Sequence, residues 1–132
     1  MEWYLQVMRN TFYEFSHSIS GRARRKEYWM FTLVNFIINL VFAFLLGSFS
    51  EVIASGQTNF AILFLILIMY FVIFLHSIAG TLVLVRRLHD VGKSGWFYFI
   101  FLIPIVGIIW LIVLLCSDGQ KEDNKWGSNP KT

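Results

Sequence analysis

Three stretches of the chain contain no Asp, Glu, Lys or Arg: Tyr28 to Phe49, Phe60 to Val85 and Trp96 to Cys116, runs of 22, 26 and 21 residues. Every charged side chain lies outside them. A helix rises about 1.5 Å per residue, so about 20 apolar residues cross a bilayer core. The runs are too long for core strands and lack strict alternation. Helices also satisfy their own backbone hydrogen bonds, as lipid demands. The pattern predicts an all-α integral membrane protein forming a single membrane domain over 1–132. Its three transmembrane helices are expected at about 28–49, 60–85 and 96–116, with a polar tail over 117–132.

Ahead of the first span, Trp3, Tyr4, Val7, Met8, Phe12 and Phe15 recur at helical spacing, with Gln6, Arg9, Asn10 and Glu14 largely between them. Residues 1–19 therefore read as an N-terminal amphipathic interfacial helix. The first 27 residues show no apolar core ending in a small-residue cleavage site, so no cleavable signal is expected.

Composition sharpens this picture. Hydrophobic residues make up 57% of the 132 and charged residues only 14%, against roughly 45–50% and about 25% in a soluble domain. Disorder is excluded by the same wealth of aliphatic and aromatic side chains. The net charge of +3 could suggest nucleic acid, but the distribution of the basic residues points to membrane topology. Residues 1–27 hold Arg9, Arg22, Arg24, Arg25 and Lys26, the 50–59 loop holds no basic residue, and the 86–95 loop holds Arg86, Arg87 and Lys93. Positive loops stay cytoplasmic, so the N-terminus and the 86–95 loop are expected inside and the 50–59 loop outside. Three spans then put the tail outside, although it carries Lys121, Lys125 and Lys131. The alternative is a re-entrant third run bending at Pro104 and Gly107. The lone Cys116 rules out an internal disulfide and reads as a small apolar side chain.

Two motifs flank the spans. In Ser20-Gly21-Arg22-Ala23-Arg24-Arg25-Lys26-Glu27-Tyr28-Trp29, Ser20 is expected to cap a helix starting at Gly21 or Arg22. Arg22, Arg24, Arg25 and Lys26 form a juxtamembrane basic cluster suited to anionic lipid, at about 1 kcal/mol per basic residue. The second motif is Arg86-Arg87-Leu88-His89-Asp90-Val91-Gly92-Lys93-Ser94-Gly95-Trp96. Its Gly92-Lys93-Ser94 resembles the end of a phosphate-binding loop, but Arg87 stands where that motif needs glycine. His89, Asp90 and Ser94 lie too close together in sequence to make a hydrolytic triad. Glu27, Arg86, Arg87, His89 and Asp90 are expected to form one polar cluster at the cytoplasmic rim. Glu27 should pair with Arg87, or else Arg86, while Asp90 neutralises one of the arginines. Inside the spans, Asn35 and Asn39 share a face of the first helix and His76 is the one ionisable group, with Ser77, Gly80 and Thr81 near it. A His76–asparagine hydrogen bond across the helix interface is expected, and no metal site or cofactor is implied.

These motifs, with Trp3-Tyr4-Leu5, Leu102-Ile103-Pro104 and Gly127-Ser128-Asn129-Pro130, give a chain that resembles the bacterial inner-membrane family called domain of unknown function 805, the YhaH/YhaI-like proteins. The resemblance covers nearly the whole chain. It departs at Gln120-Lys121-Glu122-Asp123-Asn124-Lys125, where the family tends to be Gly/Pro-rich and to end Glu-Asn-Arg. It implies an inner-membrane location and several spanning helices, and supplies no catalytic residues.

The leading expectation is a non-enzymatic accessory or regulatory protein acting through helix–helix and anionic-lipid contacts, as a homo-oligomer or with a membrane-protein partner. An oligomeric small-solute transporter or channel is second, and a rim enzyme using His89, Asp90 and Glu27 is third.

Overall fold

The computed structural model describes residues 2, 4, 5, 9, 20–56 and 59–130. Helix α1 runs Arg25–Ala54 and helix α2 runs Phe60–Asp90, packed side by side with a short turn between them. A 3-10 helix follows over Gly95–Leu102, then α3 over Val106–Cys116. Among the described residues the only strand-like pairing is an isolated bridge between Asn124 and Gly127. Of the amphipathic helix expected over 1–19, all but four residues lie outside the described set; Tyr4 stacks on Phe31 with ring centroids 5.3 Å apart.

Helix ends follow local chemistry. The α1–α2 turn carries Gly56 at φ 73, and Asn59 then caps α2 by accepting the Ile62 N–H at 3.0 Å. At the far end of α2, Gly92 adopts φ 78. Lys93 N–H donates to the Leu88 carbonyl at 2.9 Å and Gly92 N–H to that of His89 at 3.0 Å, the paired bonds of a Schellman ending. The expected Ser20 cap is not what starts α1: the helix begins at Arg25, three to four residues later, after Gly21 at φ 106 and an extended Arg24. The Ala23 N–H instead donates to the Arg86 carbonyl, 3.1 Å away, tying this stretch to α2.

The two long helices are of spanning length and composition, with mean hydropathies of 2.2 and 2.7 over their most apolar windows, and only 6% of each window is buried. A soluble protein's core helix would be mostly covered; these faces suit lipid. The main buried cluster sits at one end, where Tyr28 and Phe31 of α1 meet Ala79, Val83 and Leu88 of α2 and Leu111 and Leu115 of α3.

The third apolar run departs from the expected single helix. It is folded in two, with the reversal at Ile103–Ile105. Pro104 cannot continue a helical hydrogen-bond ladder, and Ile105 takes φ 64, ψ −68. The Val106 N–H donates back to the Pro104 carbonyl at 2.7 Å, a γ-turn. Ile103 and Gly107 N–H groups find the Ile100 and Ile103 carbonyls, both at 3.0 Å, so the tip leaves few backbone groups for lipid to strand. Gly107 permits the close crossing: a methyl group there would overlap the Ile100 carbonyl. Each limb is about 16 Å long from its helical rise, about half a bilayer core. The tail, expected on the opposite side from the 86–95 loop, is instead hydrogen-bonded to it.

Candidate functional site

The end of the bundle where α1 begins, α2 ends and the hairpin closes carries a knot of buried charge. Arg22, Arg87 and Asp90 are at most 5% exposed. Arg22 reaches it because Gly21 turns the chain inward just before α1. From there its Nε donates to Asp90 Oδ1 at 3.0 Å, its Nη1 to the Glu122 carbonyl at 2.8 Å, and its Nη2 to the Gln120 carbonyl. Arg87, on the last turn of α2, donates from Nε to the Leu115 carbonyl at 3.2 Å, from Nη1 to Asp90 Oδ2, and from Nη2 to the Ser117 carbonyl. Every nitrogen of both guanidinium groups is engaged, and Asp90 gives one oxygen to each.

Two cations share one carboxylate here, so the excess positive charge needs another counterpart. The C-terminus of α3 supplies it. Its last carbonyls are left without helical donors and carry the negative end of the helix dipole, about half an elementary charge. Arg87 takes Leu115 and Ser117, and Arg25 donates to the Cys116 carbonyl at 3.1 Å. The tail closes the knot: Gln120 N–H donates to the Asp90 carbonyl at 2.8 Å, and the Asn124 side-chain amide to the His89 carbonyl at 3.0 Å. Gly119 packs against the Asp90 carboxylate, leaving no space for a side chain.

The basic cluster read from the sequence is therefore divided. Arg24 and Lys26 are exposed at the start of α1, Arg25 is exposed beside Asp118 at 3.5 Å, and Arg22 is turned inward and buried against Asp90. Glu27 meets Arg86, at 3.9 Å, and not Arg87. Adjacent helix positions point about 100° apart, and Arg87 faces α3. A partly exposed, long ion pair contributes little: Glu27→Gln should cost less than about 1 kcal/mol, and Glu27 and Arg87 substitutions should add, since the two do not touch. Chemical denaturation of the single and double variants would check both points.

His89 is 5% exposed and stacked on Trp126, ring centroids 4.5 Å apart and 9° from parallel. Its Nδ1 lies 3.3 Å from the Gly21 carbonyl. A carbonyl only accepts, so Nδ1 carries the proton. Burial pushes the imidazole below its usual pKa of 6.5, the Gly21 bond opposes this, and Lys125 adds to it. With the folded value depressed, stability is complete above about pH 6.5 and falls as the pH drops below it. His89→Gln should flatten that slope in thermal melts between pH 7 and 5.

Asn35, Asn39 and His76 line one cleft of about 330 Å³ between α1 and α2. They do not bond across it as expected. His76 Nδ1 bonds the Val72 carbonyl at 2.9 Å and the Asn39 amide the Asn35 carbonyl at 2.8 Å, each within its own helix. Gly80 has open space beside it, so the helices do not close there. A second cavity, about 670 Å³, lies between the end of α2, the 3-10 helix and the tail, with His89, Ser94, Tyr98 and Trp126 in its wall.

Chemically, the knot is a fastener. Asp90 has both oxygens held by guanidinium groups, Glu27 is directed to Arg86, and His89 is bonded and stacked, so the trio expected for a rim enzyme does not converge on a common point. Among the described residues no three His, Cys, Asp or Glu side chains gather as a metal ion requires. Sequence reasoning missed Gln120, Asn124 and Trp126. The only signals were a lone aromatic in a polar tail and the Gly-Ser-Asn-Pro run after it.

The model of a family described as "Protein of unknown function (DUF805)" matches residues 16–128. The chain is 36% identical over 135 residues to inner membrane protein YhaH of Escherichia coli (strain K12), covering 99% of this chain and 98% of that one. It is 35% identical over 131 residues to inner membrane protein YhaI of the same strain, covering 99% and 97%. No solved structure matches it.

Proposed function

From the premise that the chain belongs to the DUF805 family, we propose that it is an inner-membrane protein with two full spans and a re-entrant hairpin, its N-terminus and tail both in the cytoplasm. It acts as an accessory or regulatory protein through anionic lipid and neighbouring helices, and catalyses no reaction. The observation that carries this reading is the division of labour among the charges. Arg22, Arg87 and Asp90 are spent on one another and on backbone carbonyls. Arg24 and Lys26 stay exposed where α1 enters the apolar layer, the position at which basic residues attract anionic headgroups. The re-entrant topology agrees with the charge rule, because it keeps Lys121 and Lys125 on the positive side. Exposed apolar faces along α1 and α2 offer contact to lipid or to a partner helix.

A small-solute pathway is the second reading, favoured by the open cleft beside Asn35, Asn39 and His76. Polar groups at that depth need another helix or a cavity.

Extraction in polymer-bounded nanodiscs followed by lipid mass spectrometry tests the leading reading. Anionic phospholipid should be enriched over the surrounding membrane, and less so for Arg24→Gln/Lys26→Gln. Equal lipid composition in the discs and in bulk membrane would overturn it.

A further inference from the structure

The cavity of about 670 Å³ is unused by the reading above, and its volume is that of a ligand site. Its walls are graded. Thr81 and Val85 lie at its deep end, in the apolar part of α2, and His89, Ser94 and Trp126 lie at the rim. Eight residues separate Thr81 from His89 along the helix, about 12 Å of depth. Phe99, 49% exposed, and Trp96, 78% exposed, also line it, so it is open on the side where α2 and the 3-10 helix face lipid. A site that is apolar within the bilayer and polar at the surface suits an upright amphiphile.

The polar end specifies more. His89 is buried, and its Nδ1 proton is committed to the Gly21 carbonyl. Its Nε2 is therefore a hydrogen-bond acceptor. It has no partner among the described residues, and it lies by Gly95, another wall residue, where an added methyl would sit 3.7 Å away. An occupant that brings a donor finds its acceptor there. Two lysines stand just outside the wall: Lys125 Nζ sits 4.3 Å from the centroid of the Trp126 ring, and Lys93 Nζ 5.2 Å from that of Phe97 next to Trp96. A phosphodiester answers the lysines but carries no proton, and an ammonium donor would be repelled by the same lysines, so the donor that fits is an alcohol in the headgroup.

We propose that this cavity is a binding site for a glycerol-headed anionic phospholipid taken from the bilayer. One acyl chain lies along Val85, Tyr98 and Phe99, the phosphodiester faces Lys125, and a glycerol hydroxyl donates to His89 Nε2. This rests on the reading of a rim that holds anionic lipid, and adds a defined pocket with headgroup selectivity.

Native mass spectrometry of the detergent-purified full chain tests it with three lipids of equal chains: phosphatidylglycerol, its methyl phosphodiester analogue without hydroxyls, and phosphatidylcholine. Phosphatidylglycerol should bind about tenfold more tightly than the methyl analogue, the effect of one buried hydrogen bond. Thr81→Phe, at a position exposed to the apolar side, fills the deep end and should abolish that gap. Arg24→Gln/Lys26→Gln should weaken both anionic lipids alike and keep it. Equal affinity of wild type for the two anionic lipids, or a gap that survives Thr81→Phe, overturns the pocket while leaving the surface cluster standing. Anionic lipids that bind no better than phosphatidylcholine overturn both.

Discussion

Asp90→Asn is expected to destabilise the protein by about 3–5 kcal/mol, because it leaves two buried guanidinium groups without their shared anion. The side chain is 2% exposed and accepts from Arg22 and Arg87 at once, so no solvent is at hand to take over. Removing a cation instead should hurt less. Arg22→Gln gives up three hydrogen bonds but leaves Arg87 and Asp90 as a neutral pair. The double variant Asp90→Asn/Arg22→Gln should therefore cost less than the sum of the single changes, since it removes one of the stranded charges. Thermal unfolding in detergent, followed by tryptophan fluorescence, would register the order. Equal losses for Asp90→Asn and Arg22→Gln with strict additivity would mean that the knot is not a charge-balanced unit.

Gly107→Ala is the second large effect. The added methyl would overlap the Ile100 carbonyl and come within 3.1 Å of the Ile103 Cβ. Both neighbours belong to the opposite limb or the turn, which cannot swing aside as a flexible side chain would. Overpacking of this kind costs about 1–3 kcal/mol or more. The loss should appear as a lower melting temperature and as protease sensitivity of the tail, whose docking depends on where α3 ends. Gly47→Ala is a matched control on α1, where nothing lies within 4 Å of the added atom and helix propensity improves. An unchanged melting temperature for Gly107→Ala would mean that the limbs do not cross at this residue.

The two long helices were legible because lipid imposes one requirement on every residue of a span, and charge-free runs report it directly. The pairing of Asp90 with an arginine was legible too, since Arg87 precedes it by three residues on one helix face. Arg22 was not. In Arg22-Ala23-Arg24-Arg25-Lys26 all the basic residues look alike, and what turns one inward is a backbone bend at Gly21 together with carbonyls about a hundred residues away. The third apolar run was left between a span and a re-entrant fold-back for a related reason. Hydropathy is the same for a straight span and a hairpin, so only Pro104 and Gly107 marked the fold-back, and both residues also occur in continuous spanning helices. What holds the folded-back form together is the long-range fit of Arg25 and Arg87 onto the end of α3.

The topology of that hairpin is open to one direct measurement. In a Cys116-free background, single cysteines at Gly56, Ser94 and Ser128 would be probed on intact cells with a membrane-impermeant thiol reagent. Position 56 should label from outside, while positions 94 and 128 should label only after the membrane is permeabilised, because the tail is fastened to the 86–95 loop. Labelling of position 128 together with position 56 on intact cells would show that the run from Trp96 to Cys116 crosses the membrane, and would contradict the knot that joins the tail to Arg22 and Asp90.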